Sequence, residues 1–205
     1  MTALLPHVTA SEKRELQREL LSSPLRREIF RFSEFLTPHS ILFFKDNENK
    51  IGAVETLVGT FHGIDRATVL QDIWSREREG ALIIPTGVAV MRSCLGSFHH
   101  LRVALGICPK GIVNPSNPDH RTQLFIILAG PLDQNHLHMN LLVAVSALFH
   151  NRRLVGKILK CGSSDEIIEV ISNAENRRNC SRSRLYRFGR AIKEFFELHY
   201  GWGRR

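Results

Sequence analysis

The spacing of apolar residues predicts helices over several stretches of the chain. Residues 11–36 have the pattern of two helical pieces, and the same spacing predicts helices within 49–62 and 66–80. The clearest helix covers 135–151, and residues 163–172 start with a serine cap that favours another. One stripe of the 135–151 helix carries His138, Leu141, Leu142, Val145, Leu148 and Phe149.

Short apolar runs predict strands between these helices, because they are too short for helices of their own. The runs cover 40–44, 101–108 and 122–130. Residues 80–93 are rich in glycine, proline and β-branched side chains and predict strands with a turn, while 109–121 carry three prolines and predict a loop. Strands and helices alternate from about residue 40 to 173, which predicts an α/β fold with helices on both faces of a sheet and some strands parallel.

Composition is that of a globular protein, with 43% hydrophobic and 23% charged residues in 205. This length suits one buried domain with appendages. There is no uninterrupted apolar run of about 18 residues and no basic start followed by an apolar segment, so we expect a cytoplasmic protein. The four cysteines have no metal-clip spacing, so we expect reduced thiols, no metal site and no cofactor.

The net charge of +8 is concentrated at one end of the chain. From Arg177 onward, nine Arg and Lys residues face two Glu residues, which places +7 in this stretch. We expect an N-terminal helical extension over 1–32, an α/β domain over 33–174 and a basic amphipathic tail over 175–205. The tail could dock on the domain, bind a partner or a second copy, or contact a membrane surface. Nucleic acid is a disfavoured partner, because the tail's aromatics lie on a helical stripe instead of being arranged to stack on bases.

Several catalytic signatures are absent from the sequence. It has no GxxxxGK[ST] loop, no GxGxxG, no HExxH and no GxSxG. The enzyme classes that depend on those motifs therefore have no support.

A series of phrases instead resembles the type-2 enzyme IIA family of the bacterial phosphotransferase system, the fructose, mannitol and nitrogen-regulatory branch. The resemblance covers about residues 34–173 and runs through "FLTPHSILFFKDNENKIGAVETLV", "REREGALIIPTGVAVMRS", "RVALGICPKGIV", "LFIILAGP", "HMNLLVAVSALF" and "SSDEIIEVI". It implies the mannitol-type IIA architecture, a mixed and mostly parallel sheet of about five strands. It also implies protein partners of the HPr or enzyme IIB kind, or a regulated protein.

The alignment without gaps decides which residues match the family's active site. It sets "GVAVMRS" on the family's GVAIPHG, so Arg92 takes the place of the phosphohistidine, with Met91 and Ser93 beside it. The family's second histidine then falls on His138 and its arginine on Arg76. The alternative of setting "IIPTG" on IPHG would delete the glycine-rich stretch before the motif.

This alignment implies a site that has lost its ordinary nucleophile, because a guanidinium has no lone pair to accept a phosphoryl group. We expect Arg76, Arg92 and His138 to line a shallow anion-binding pocket near a helix N-terminus. The first hypothesis is a degenerate IIA acting as a regulatory or interaction module. The alternatives are an active phosphocarrier using His138, and an adaptor working through its basic tail.

Each of these residues also has a plainer explanation. His138 lies on an apolar stripe and could be a core residue, Arg76 could be a solvated surface charge, and Arg92 could fill an inactive pocket. His99 and His100 are expected to face solvent in a loop. His136 and His138 form an HxH pair without a third ligand at useful spacing, which disfavours a metal.

Overall fold

The computed structural model describes residues 31–45, 49–114 and 117–180. The predicted helices over 11–30 and the tail beyond residue 180 lie outside these residues, so the expected roles of both extensions stay predictions. The elements follow in chain order: β1 Ile41–Phe43, α1 Lys50–Val58, α2 Arg66–Glu79, β2 Leu82–Ile84, β3 Val88–Cys94, β4 Arg102–Asn114, β5 Asn117–Gly130, α3 Asn135–Phe149, α4 Arg152–Ile158 and α5 Ser164–Cys180. Short 3₁₀ turns lie at Phe32–Phe35, Pro38–Ser40 and Leu132–Gln134.

The strands form one mixed sheet in the order β1-β4-β5-β3-β2. β1 pairs with β4 and β3 with β5 in parallel, whereas β4–β5 and β2–β3 are antiparallel. The expected α/β fold with a five-stranded mixed sheet and an antiparallel edge is confirmed. Two of the four strand pairs are parallel and two are antiparallel. One antiparallel pair lies in the middle of the sheet, because β4 and β5 form a hairpin there.

Alternation along the strands divides the core into two layers. Ala89 and Met91 of β3 pack with α1 and α2, in a cluster that includes Leu57 and Ile73. Leu124, Ile126 and Leu128 of β5 alternate with members of that cluster, so they face the other side of the sheet, where α3 contacts β5. The stripe predicted on α3 is confirmed, since the six residues named for it are all 0–2% exposed.

The prediction of a loop over 109–121 is wrong, because most of this segment continues β4 and β5 as a long hairpin. The part of the hairpin after Ile107 on β4 and before Leu124 on β5 has no further strand beside it in the described residues. Proline is tolerated where a strand is an edge or is bulged, because the missing N–H then breaks no ladder bond. The ladder also shifts between Ile107 and Ile112, where Gly111 has φ of 72°.

Two helical features were not predicted. Helix α4 has only seven residues, too few for a periodic pattern to indicate it, and Asn151 caps it by accepting hydrogen bonds from two backbone N–H groups. Helix α5 continues to Cys180, past the expected domain boundary at residue 174. No helix among the described residues has the length and apolar character needed to cross a bilayer.

Candidate functional site

Arg92 lies near the carboxyl end of β3, on the sheet face that α3 covers. Its pairing partner on the parallel strand β5 is Leu128, and two residues later Cys94 is paired with Gly130. Met91 points into the core beneath α1 and α2. Because side chains alternate along a strand, Arg92 points to the opposite side, toward α3.

His138 occupies the first turn of α3 and is 2% exposed. Its ring lies over the end of β5, since a Cβ added to Gly130 would be 2.7 Å from its Nε2. Neither ring nitrogen has a hydrogen-bond partner in the described structure. Buried polar atoms of this kind are ordinarily satisfied by protein, water or ligand, so the imidazole is available to a bound group.

Arg76 reaches the same region from the last turns of α2. Its Nε donates to both carboxylate oxygens of Asp72 at 3.1 Å. Asp72 Oδ2 also accepts from the backbone N–H of Cys94 at 2.9 Å. The Asp72 carboxylate therefore ties α2 to the end of β3 and holds the guanidinium of Arg76 beside it.

The three residues are close enough to influence one another's charge. Burial, together with the positive charges of Arg92 and Arg76, lowers the pKa of His138 from 6.5 to about 4. Burial raises the pKa of the Cys94 thiol, and the same two guanidinium groups oppose that rise. At neutral pH the imidazole is therefore uncharged and the thiol protonated. We call Arg76, Arg92 and His138 the arginine–histidine site.

Sequence reasoning missed two residues that shape this site. Asp72 could have been found, because its spacing from Arg76 is that of an i,i+4 ion pair on a helix. Gly130 leaves room for the imidazole. No pattern in the sequence indicates this role, since it depends on a contact between distant elements.

A cavity of about 480 Å³ lies beyond the carboxyl ends of β3 and β5, and its lining does not include Arg76, Arg92 or His138. Phe98, His99, Leu132 and Asp133 contribute to its lining. His99 and His100 are both exposed, as is His136 on α3. Among the described residues no group of three or more His, Cys, Asp and Glu side chains is arranged to hold a metal ion.

Comparison with known proteins defines the class to which this fold belongs. Residues 34–174 match the family model for the phosphoenolpyruvate-dependent sugar phosphotransferase system, EIIA 2. The chain belongs to this family, which confirms the resemblance of the sequence phrases. It is similar to the fructose-specific EIIABC component of the phosphotransferase system from Bacillus subtilis (strain 168), with 25% identity over 146 residues and 69% of this chain covered. The match spans 23% of that relative's length.

Solved structures of IIA proteins share the fold. Nitrogen regulatory protein IIA-Ntr from Neisseria meningitidis superimposes with a TM-score of 0.61 at 17% identity, covering 68% of this chain and 97% of that one. IIA mannitol from Escherichia coli gives 0.57 at 16% identity, covering 66% and 98%. The complex of enzyme IIAMTL with phosphorylated enzyme IIBMTL from Escherichia coli gives 0.57 at 15%, covering 67% and 97%. These TM-scores show a common fold.

Proposed function

We propose that this chain is an enzyme IIA-type module that no longer relays phosphate at the family's usual position and instead binds an anionic group of a protein partner in the arginine–histidine site. The observation that carries the proposal is the position of Arg92, at the end of β3 and close enough to His138 to lower its pKa. In the gap-free alignment with the family, Arg92 takes the phosphohistidine's place.

The chemistry of a guanidinium argues against phosphoryl transfer at that position. A nucleophile for phosphoryl transfer must offer a lone pair, which the protonated guanidinium of an arginine does not have. What the guanidinium offers is a fixed positive charge with several N–H donors in one plane. It can hold a phosphate or carboxylate but cannot carry one covalently.

The surroundings of Arg92 favour an anion as the bound group. Arg76 adds a second guanidinium, and His138 adds a buried imidazole whose nitrogens have no hydrogen-bond partner among the described residues. The imidazole also lies in the first turn of α3, where the helix dipole favours negative charge. The bound group is thus a partner's carboxylate or a phosphorylated side chain.

A protein is the partner that fits the family best. A relative from Escherichia coli forms a complex with phosphorylated enzyme IIB, and we infer that this chain offers the same end of its sheet to an HPr-like, enzyme IIB-like or regulated protein. The cavity of about 480 Å³ at this end of the sheet is a concave surface on which such a partner can dock.

Titration with inorganic phosphate tests the anion site directly. Phosphate bound between Arg76 and Arg92 places negative charge near His138, so the pKa of its imidazole, followed by NMR, rises from about 4. The effect should be lost in Arg92→Gln and kept in Arg78→Gln, a matched control with an exposed arginine on the same helix as Arg76. The proposal is contradicted if phosphate does not change the pKa of the His138 imidazole, or if it changes that pKa equally in both variants.

One observation favours a second candidate, a phosphocarrier that uses His138. Its imidazole is neutral at cellular pH, and neither nitrogen has a partner in the part of the chain that the structure describes, as a nucleophile requires, although the residue is only 2% exposed. The chain should be incubated with phosphoenolpyruvate, enzyme I and HPr. A stoichiometric, acid-labile phosphoryl adduct that His138→Ala abolishes establishes the phosphocarrier and sinks the first proposal.

A further inference from the structure

A second cavity lies at the opposite end of the sheet. Its volume of about 350 Å³ falls within the range of small-molecule sites. It is open to solvent and is lined by the turn between β2 and β3, the early part of β5 and helix α4. Because β3 and β5 run in parallel from this cavity toward the arginine–histidine site, the two places are roughly 20 Å apart, at about 3.3 Å per strand residue.

Two arginines from different elements line this cavity. Arg121 comes from β5 and Arg152 from α4, and both side chains are exposed. Neither forms an ion pair with any carboxylate of the described residues. Arg121 donates one N–H to the carbonyl of Lys110 at 3.4 Å, which orients its guanidinium and leaves its other donors available.

The charged side chains that line the cavity, Arg121 and Arg152, are both positive. No Asp or Glu lies between residues 134 and 164, the stretch that contains α4, and Asp119 is the only one between 80 and 132. Lys157 and Lys160 add positive charge on and just after α4. A cleft lined by one sign of charge concentrates ions of the other sign, so the cavity attracts anions.

Two left-handed glycines allow this wall to form. Gly111 has φ of 72°, and a Cβ there would be 2.8 Å from the Cβ of Arg121. Gly87 has φ of 86°, and a Cβ there would be 3.2 Å from the carbonyl oxygen of Arg121. Gln123 is held nearby, since its side-chain amide donates to the carbonyl of Pro109 at 2.7 Å. The wall that carries Arg121 is therefore fixed by close backbone packing.

The rest of the lining combines the polar side chains of Thr86 and Gln123 with an apolar part that has room. Pro85, Val155 and Leu159 face the cavity, and a Cβ added to Gly156 of α4 would meet nothing within 4 Å. We propose that this cavity binds a small anionic metabolite, whose phosphate or carboxylate is held by Arg121 and Arg152 and whose carbon skeleton lies on the apolar wall. The proposal is independent of the function proposed for the arginine–histidine site.

The experiment is an NMR titration of the full chain with inorganic pyrophosphate and, separately, with citrate. We expect saturable shifts of the backbone amides of Gly87, Gln123 and Gly156. Arg152→Gln should weaken binding at least tenfold, and Gly156→Leu should block it sterically while leaving every charge in place. Arg153→Gln is the matched control, an exposed neighbour outside the cavity lining, and should change the affinity less than twofold.

Three results would overturn the proposal. The first is that neither pyrophosphate nor citrate produces saturable shifts. The second is equal weakening by Arg152→Gln and Arg153→Gln, which indicates diffuse attraction to a basic surface. The third is tighter binding of a short oligonucleotide through Arg121 and Arg152, which would replace a small metabolite by nucleic acid as the occupant. Arg92→Gln should leave the titration unchanged, which separates this cavity from the arginine–histidine site.

Discussion

His138 is buried beside two guanidinium groups, so its imidazole resists protonation in the folded protein. Its pKa of about 4 is below the ordinary value of 6.5. Between those two pH values the unfolded chain binds a proton that the folded chain does not, so the free energy of unfolding falls as the pH falls. The size of this loss is on the order of 3 kcal/mol, and it is complete below about pH 4.

Denaturant unfolding at a series of pH values measures this effect. We expect the native chain to lose stability relative to His138→Gln as the pH is lowered from 6.5 to 4, because the variant has no imidazole to protonate. Arg92→Gln removes a positive charge, raises the pKa of His138 and shrinks the loss, whereas Arg78→Gln does not. If the free energies of unfolding of the native chain and His138→Gln differ by the same amount at every pH in this range, the imidazole is not buried in its neutral form.

Gly130 is the residue that makes room for His138. An added Cβ would lie 2.7 Å from His138 Nε2 and 2.6 Å from Leu101 Cδ2, closer than real Cβ contacts. Gly130→Ala should therefore lower the free energy of unfolding by about 1–3 kcal/mol and shift the NMR signals of the imidazole. Gly96→Ala is the control, because its Cβ would meet nothing within 4 Å. Equal stability of the two variants would show that the ring does not pack on β5.

The sequence names residues for the site, whose function stays a prediction, but not the contacts that hold them. The gap-free alignment identifies Arg76, Arg92 and His138, because the spacing between matched phrases fixes which residue stands at each family position. Asp72 bonding to the backbone of Cys94, and Gly130 beneath His138, arise from contacts between elements far apart in sequence. Such contacts leave no periodic trace.

At the scale of elements, apolar periodicity predicts α3 correctly because its stripe faces the sheet. Proline content misplaces the β4–β5 hairpin, because proline excludes a central strand but not an edge. Pro109 falls where the β4 ladder is shifted and β1 has ended, so a proline rule written for central strands does not apply. The loop prediction therefore failed at the place where the hairpin leaves the body of the sheet.

Helix α5 is fastened to the start of the described chain by a buried carboxylate. Glu175 is 8% exposed and accepts hydrogen bonds from the backbone N–H groups of Phe32 (2.6 Å) and Ser33 (3.4 Å) and from the Ser33 hydroxyl (2.5 Å). Glu175→Ala leaves these donors without an acceptor and should lower the free energy of unfolding by about 2–3 kcal/mol. Glu169→Ala, on an exposed position of the same helix, should be nearly neutral.

The same carboxylate has a pH dependence of its own, opposite in sign to that of His138. Burial raises the pKa of Glu175 above its ordinary 4.5, although the hydrogen bonds from Ser33 and Phe32 oppose the rise. Above pH 4.5 the folded chain holds a proton that the unfolded chain releases, so stability falls as the pH rises through the raised pKa. Denaturation of the native chain against Glu175→Gln should show this trend. If the difference in free energy of unfolding between the native chain and Glu175→Gln does not change with pH, Glu175 is not desolvated.

At the scale of the whole molecule, the family match and the folded unit have different ends. The match covers residues 34–174, close to the 33–174 domain expected from the sequence. Phe32 is fully buried with its ring 5.5 Å from that of Phe149, and Glu175 bonds to it from α5. Both lie just outside the match, although they join the two ends of the domain.

We therefore expect a fragment of residues 31–180 to be more stable than one of residues 34–174, although the family match covers only the shorter. The shorter fragment loses the buried ring of Phe32, for which truncation to alanine alone would cost about 3–5 kcal/mol. It also loses the Glu175 carboxylate. Urea denaturation followed by circular dichroism should show a difference of at least about 3 kcal/mol. Phe32→Ala within 31–180 should reproduce most of that difference, because the ring fills space against Phe149. If the two fragments unfold at the same urea concentration, Phe32 and Glu175 contribute nothing to the fold, and the boundary at residue 174 stands as the sequence predicts it.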